Sequence, residues 1–166
     1  MFRKVCASLT LVIALLATIA APSHAVTTKG VTAKGANGST ITISQSKFTN
    51  EMKIKVVGRG FDETVGIYLA YCVIPKKGEL PSPCGGGVNK SGTGEASYWI
   101  SSNPPPYGVG LAIPFKPGGR FTETVAITRK IGSFDCRKVR CAVTVRSDHL
   151  HEGDRSHDIF LPITIK

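Results

Sequence analysis

The chain has 166 residues, with 21 Lys and Arg against 11 Asp and Glu, a formal charge of +10, and 42% hydrophobic residues. This length makes one domain with a real core and excludes two. The basic balance fits a protein that is simply soluble, or one that sits on anionic wall polymer, lipid head groups or nucleic acid, and charge alone does not choose.

The first 25 residues read as a secretory signal peptide: a basic Arg3-Lys4, an apolar run from Leu9 to Ala17, and Ser23-His24-Ala25 with small residues at both specificity positions. Cleavage is expected after Ala25. The apolar run is too short for a membrane span, and Cys6 precedes it, where no lipoprotein acylation site would lie. Removing 25 of the 166 residues leaves 141; the leader carries two cations and no acid, so the charge falls from +10 to +8. Four cysteines remain, at 72, 84, 136 and 141, and an even count in an exported chain points to two disulfides. Of the three pairings, the local ones, Cys72 with Cys84 and Cys136 with Cys141, are favoured over an inter-sheet bridge. Loops this short contribute somewhat less than the ~3 kcal/mol of a loop of about fifteen residues, so the bridges shape hairpins more than they hold the domain up.

Residues 26–38 are polar, glycine-rich and without periodicity, and are expected to be a flexible leader to a domain spanning 39–166. Seven strand-like runs follow. Thr40 to Ser44 and Met52 to Val56 alternate, the second ending in the glycine bend Gly58-Arg59-Gly60-Phe61. Val65 to Ile74 is almost wholly apolar, as a strand covered on both faces should be. Ala96 to Ser101 holds Tyr98, Trp99 and Ile100, and Phe121 to Ile127 sets Phe121, Val125 and Ile127 on one side. In the sixth run Val139, Cys141, Val143 and Val145 alternate with Arg140, Thr144 and Arg146, which predicts a half-buried strand. The seventh, Ile159 to Ile165, has its aliphatics on one face and a Pro162 that calls for an edge position or a side where no N–H is needed. Its Leu161-Pro162-Ile163-Thr164 lacks the final Gly of a sortase signal. No run outside the signal keeps a helical period, so the expected fold is all-β: a seven-stranded antiparallel immunoglobulin-like sandwich. Two connections, Pro75 to Glu95 and Ser102 to Arg120, are long enough to carry function, as is the 147–158 loop.

The order of the glycine bend, Gly66-Ile67-Tyr68-Leu69-Ala70-Tyr71-Cys72, a second cysteine at 84, then Phe134-Asp135-Cys136-x4-Cys141 and a final strand resembles the neocarzinostatin family of actinobacterial secreted proteins. The resemblance covers roughly residues 39 to 166. It implies an immunoglobulin-like sandwich with two local disulfides, and a cleft that in the best-studied members carries an enediyne chromophore for delivery to DNA. The position two after the first cysteine, aromatic in chromophore carriers, is Ile74 here, and this chain is basic where the carriers tend to be acidic.

Three site readings follow. Tyr98, Trp99, Tyr107 and Phe115 flank the proline-rich connection, and with Ile74 they are the candidate ligand-binding surface. His149, His151 and His157 stand in the 147–158 loop, where they are candidates for zinc or haem iron, against a plain hairpin in which Asp148 and Asp154 make turn bonds. Arg129, Lys130, Arg137, Lys138, Arg140 and Arg146 are candidates for a basic patch, or for the solvated side of an edge strand. Ser156-His157-Asp158 is refused as a triad because consecutive residues do not converge on one atom. The expectation is therefore a secreted, monomeric, non-catalytic module without cofactor that binds a cell-surface partner. A carrier of an apolar small molecule and a metal or haem binder are the alternatives, and nucleic acid is the weaker partner.

Overall fold

The computed structural model describes residues 30–85, 93–94 and 97–166, with backbone alone at 93–94. The expected signal peptide, positions 26–29 of the expected leader, positions 86–92 and 95 of the first long connection and position 96 at the start of the fourth run lie outside the described residues.

Alternating sequence becomes two packed layers. The first is a sheet of four strands, β1 (Val31–Lys34), β2 (Thr40–Ile43), β4 (Met52–Arg59) and β8 (Phe121–Ile127), in that spatial order. The second has six, in the order β3 (Lys47–Phe48), β12 (Ile159–Ile165), β11 (Cys141–Ser147), β5 (Ile67–Val73), β7 (Ser97–Ile100) and β6 (Thr93–Gly94). A two-stranded ribbon, β9 (Lys130–Ile131) with β10 (Phe134–Asp135), completes the described strands. Pairing is antiparallel except between β12 and β3. The expected sandwich forms, and both local disulfides are present, Cys72–Cys84 and Cys136–Cys141.

Because side chains alternate across a strand, the register decides what each face carries. Inward from the four-stranded sheet point Ile41, Ile43, Ile54, Val56, Val125 and Ile127, all buried. They meet Ile67, Leu69, Tyr71, Val143, Val145 and Leu161 of the six-stranded sheet. At roughly 1.5–3 kcal/mol per buried side chain, this shared layer is the main favourable term of the fold. Outward from the four-stranded sheet stand Thr32 and Lys34 of β1, Thr40 and Thr42 of β2, Lys53, Lys55, Val57 and Arg59 of β4, and Thr122, Thr124 and Ala126 of β8.

Three expectations change. Val31–Lys34, assigned to the flexible leader, is a paired edge strand, because Ala33 packs against the core and a tight turn closes the hairpin. In that turn the Ser39 N–H and hydroxyl both donate to Asn37 Oδ1, and Gly38 adopts φ +89°, a conformation glycine takes without strain. Second, β11 is buried on both faces rather than one. Thr144 is 1% exposed and Ala142 0%. These small residues lie mid-sheet between Phe160 and Pro162 on β12 and Ala70 and Cys72 on β5, and the Thr144 hydroxyl is satisfied by the Ala142 carbonyl at 3.3 Å. Third, of the two placements open to Pro162 the edge position is set aside and the other holds: β12 is an interior strand, and the proline N lies on a side where no N–H is needed. The Thr164 N–H points toward β3 and donates to the Ser46 carbonyl. Pro162 faces the same way one pleat earlier, beyond the reach of the two-residue β3, so its missing N–H costs nothing.

Two predictions follow from this packing. The Tyr71 hydroxyl is buried without a hydrogen-bond partner, and burial pushes its pKa up. An unsatisfied buried hydroxyl costs about 1–3 kcal/mol, so Tyr71→Phe is expected to leave chemical-denaturation stability unchanged or raise it by about 1 kcal/mol; a clear loss would contradict the assignment. In the ribbon, Asp135 Oδ1 accepts the Arg137 backbone N–H at 3.0 Å and Nε–H at 2.9 Å, and Oδ2 accepts the second guanidinium nitrogen at 2.6 Å. These bonds hold its carboxyl well below the ordinary 3.8. A depressed folded pKa contributes stability above the unfolded value and loses it as pH falls toward the folded one. Asp135→Asn should therefore melt below wild type at neutral pH, with the gap closing once the pH drops below 3.8.

Candidate functional site

The outer face of the six-stranded sheet is assembled from residues far apart in sequence. Tyr68 on β5 lies opposite Trp99 on β7 and Arg146 on β11, so the pleat turns all three outward. The Arg146 guanidinium sits 4.9 Å from the Tyr68 ring centroid, within cation–π range, and 3.9 Å from Glu152 Oε1.

Past the end of β11 the chain turns back over this face, and Asp148 fixes the turn. Its backbone N–H donates to the Gly66 carbonyl at 2.9 Å. Its carboxylate is 0% exposed and accepts the Trp99 indole N–H at 2.9 Å and the Leu150 N–H at 3.0 Å, with His151 Nδ1 3.5 Å away. The carboxylate occupies the space that a side chain on Gly66 would fill. Glycine is required there for room, not for an unusual backbone angle.

His149 comes next and lies over the sheet. Its Nδ1 is 2.6 Å from the Tyr68 hydroxyl and its Nε2 is 2.7 Å from the Tyr107 hydroxyl. A neutral imidazole has one donor and one acceptor nitrogen, while each phenol can play either part, so both bonds form in either tautomer. Burial and then the charge of Asp148 push the Tyr68 pKa up, which keeps that phenol protonated. Trp99 meets the imidazole edge-on at 5.0 Å, and Tyr107 stacks on Trp99 at 6.3 Å. Tyr107 is delivered by the Pro104-Pro105-Pro106 segment, which ends in a 3-10 turn over Pro106–Gly108. At Gly108 any side chain would strike the Trp99 ring, so glycine lets the turn lie against the indole. The product is a locked platform whose outer member, Tyr107, is 61% exposed.

The expected ligand-binding residues divide accordingly. Trp99 and Tyr107 belong to the platform. Tyr98 is one residue from Trp99 and faces the core, where its hydroxyl donates to the Thr124 carbonyl at 2.8 Å. Phe115 is also core, stacked on Phe61 at 6.0 Å. Ile74 is half-buried beyond the end of β5, its N–H bonded to the Arg140 carbonyl. The histidines separate too. His149 is engaged by two phenols, His151 lies beside Asp148, and His157 Nδ1 is 3.0 Å from Asp154 Oδ2. Among the described residues no group of three His, Cys, Asp or Glu is placed to hold a metal ion. The turn bonds expected of Asp148 and Asp154 are both present, to the N–H groups of Leu150 and Ser156.

Ser147, Ser156 and Asp154 all approach the same His157 nitrogen, Nδ1, at 3.3, 3.1 and 3.0 Å. A hydrolytic triad needs the acid on one ring nitrogen and the nucleophile on the other, so this cluster is a loop fastener. The basic residues Arg129, Lys130, Arg137, Lys138 and Arg140 are exposed around the β9–β10 ribbon, whereas Arg146 is half-buried on the other side, against Tyr68. Sequence reading missed Tyr68 and the roles of Gly66, Asp148 and Arg146. The phenol that bonds His149 is 81 residues from it, and no local pattern announces the pair.

The platform depends on the slot at residue 66. Gly66→Ala is expected to destabilise the protein by about 1–3 kcal/mol through overpacking against Asp148. It should also shift the emission of Trp99, the only tryptophan, to the red as the indole loses its acceptor. An unchanged melting curve and emission maximum would show that the slot is not closed in solution.

No family model matches the chain, and no curated protein matches it. Among solved structures the chain is similar to macromomycin, at 13% identity and a TM-score of 0.49, with the alignment covering 78% of this chain and 100% of that one.

Proposed function

We propose that the protein is an exported, non-catalytic binding module of the cell surface, and that it holds its partner on the Trp99–Tyr107 platform. The observation that carries this reading is Tyr107: a mostly exposed aromatic ring that is nevertheless fixed, stacked on Trp99 on one side and bonded through its hydroxyl to His149. An aromatic already immobilised loses little further conformational freedom when a ligand stacks on it, which is how a small surface gains affinity. Arg146, set against Tyr68 and 3.9 Å from Glu152, and the exposed Leu150, next in sequence to His149, add charge and apolar surface suited to a ring-bearing partner with polar substituents. The non-catalytic part of the reading is supported by the geometry at His157. Export is supported by the two disulfides and by the leader sequence.

A second reading, a carrier for an apolar small molecule, has its own support. Beside the platform the same face presents Ala70, Ala142 and Thr144, small side chains closed to water, next to the Cys72–Cys84 bridge. A flat apolar molecule would suit such a floor once the protein's own covering of it is displaced.

Trp99 is the sole tryptophan and lies in the platform, so its fluorescence reports both ligand classes. Titration with fractionated envelope polysaccharide is expected to change its emission saturably, and Tyr107→Ala should weaken that binding at least about tenfold, or about 1.4 kcal/mol. Saturable quenching by apolar small molecules alone would favour the carrier. No response to either class, or a response indifferent to Tyr107→Ala, would remove the platform as the binding site.

A further inference from the structure

The tyrosines and the tryptophan differ in what holds their hydroxyl or indole hydrogen, and this decides which of them gives up an electron most readily. Removing an electron from a phenol or an indole turns its O–H or N–H into a strong acid. The loss is therefore easiest where a base already holds that hydrogen, because electron and proton leave together. Of the four tyrosines, Tyr71 is buried with its hydroxyl unpartnered, and Tyr98 donates to the Thr124 carbonyl, which is no base. Tyr68 and Tyr107 both bond the imidazole of His149, at 2.6 and 2.7 Å. Trp99 donates its indole N–H to the buried Asp148 carboxylate at 2.9 Å.

Charge and exposure separate these three rings. The Arg146 guanidinium lies 4.9 Å from the Tyr68 ring centroid, and a fixed positive charge there opposes electron loss from that ring. Tyr68 is half-buried and Trp99 buried, whereas Tyr107 is mostly exposed. The Tyr107 ring stacks on Trp99 at 6.3 Å, so the indole is a second aromatic over which an electron deficiency is shared. The proton has a place to go as well. In the tautomer with hydrogen on Nδ1, His149 donates to the Tyr68 hydroxyl and offers its Nε2 lone pair to Tyr107. The other tautomer is reached by moving hydrogens along the same two bonds, since each phenol donates or accepts. An imidazolium formed at His149 is favoured by Asp148, whose carboxylate holds the indole that meets His149 edge-on at 5.0 Å and so sets a negative charge one ring away.

We propose that Tyr107 is a redox site, which gives one electron to a diffusible one-electron oxidant while its hydroxyl proton passes to His149 Nε2. The O–H bond of Tyr107 breaks and an N–H bond forms on the imidazole. The oxidant is reduced by one electron, and the products on the protein are a neutral tyrosyl radical and an imidazolium. A diffusible reductant of the ascorbate type supplies one electron in return, and the proton goes back from Nε2 to the phenolic oxygen. Oxidising radicals are thus intercepted at the surface of the molecule, on a ring built to lose an electron and recover it. The redox site shares its rings with the binding platform but does not require a partner to be bound there.

The test mixes the full, disulfide-bonded chain with hexachloroiridate(IV), an outer-sphere one-electron oxidant, in stopped flow at fixed ionic strength. Wild type is expected to reduce the complex more slowly in heavy water than in ordinary water, and to show a tyrosyl signal by electron paramagnetic resonance after freeze-quenching. Tyr107→Phe and His149→Phe should each slow the reaction at least about tenfold, the second although Tyr107 remains, since a positioned base contributes about a hundredfold or more to a proton transfer. Tyr71→Phe removes a phenol that has no base and should leave the rate unchanged. Melting curves establish that the variants are folded, and the heavy-water comparison needs no variant. A wild-type rate in His149→Phe would mean that exposure alone sets the reactivity. The same rate in Tyr107→Phe would place the electron loss on another residue, and equal rates in the two waters would mean that no proton moves with the electron. Each of these three outcomes overturns the proposal. No polysaccharide or apolar ligand is present, so a platform that binds neither still passes this test, and one that binds either can fail it.

Discussion

The pairing of β5 with β11 is the constraint on which the rest of the molecule rests. Seven consecutive residue pairs run from Cys141 opposite Val73 to Ser147 opposite Ile67. Because the side-chain period is two, this one register places Tyr71 and Val143 in the core and Tyr68 and Arg146 outside it. A slip of a single residue would exchange the two sets, burying a guanidinium and exposing the apolar layer. Each end of the pairing is secured by something other than strand hydrogen bonds. At one end both disulfides attach, through Cys72 and Cys141; at the other, the Asp148 N–H donates to the Gly66 carbonyl and continues the ladder one step beyond the strands.

Asp148 also joins the two halves of the outer site. A buried carboxylate is costly unless its oxygens are occupied, and here an indole N–H and a backbone N–H occupy them. The indole is thereby held in the plane where Tyr107 stacks, and the residue after Asp148 is the imidazole that bonds Tyr107. Sheet, histidine loop and proline-rich connection thus meet around one carboxylate. The platform is rigid because each of its rings is held by a second contact as well as by its own backbone.

Much of the sandwich was readable from alternation, since period two over five to seven residues has no helical counterpart, and the seven expected runs correspond to β2, β4, β5, β7, β8, β11 and β12. What was lost is physically specific. The β1 run Val31-Thr32-Ala33-Lys34 is too short for periodicity to stand out among glycines and lysines, although Asn37-Gly38 is a hairpin signal read in hindsight. Parity requires that Tyr98 and Trp99 face opposite ways, but only the register with Tyr68 decides which one faces outward. Aromatic residues near a long connection were a fair guide to Trp99 and Tyr107 and a poor one to Phe115, which the Phe61 ring draws inward. The histidine cluster looked like a metal set because three imidazoles are close in sequence; in space their partners are phenols and aspartates on different sides of the loop.

The acidic residues explain why a chain with many more cations than anions has two chemically separate faces. Asp62, Asp135, Asp148 and Asp154 each accept the N–H two residues further on, the side-chain turn that aspartate forms readily. Glu51 and Glu63 fasten backbone N–H groups of distant segments in the same manner. Carboxylates engaged in turns lie at the ends of strands, so much of the excess of lysine and arginine falls on the sheet face and around the ribbon, where Asp135 pairs with Arg137. At physiological salt, charges within about 8 Å act together and those farther apart are screened. Along β4 only Lys53 and Lys55, one pleat apart, fall inside that distance, since Val57 stands between Lys55 and Arg59. Side chains on the far sheet do not, since the two layers alone are about 10 Å apart and their outward side chains add to it. The aromatic platform is therefore shielded from the cationic field behind it, and its selectivity is set locally by Arg146, Glu152 and the rings themselves.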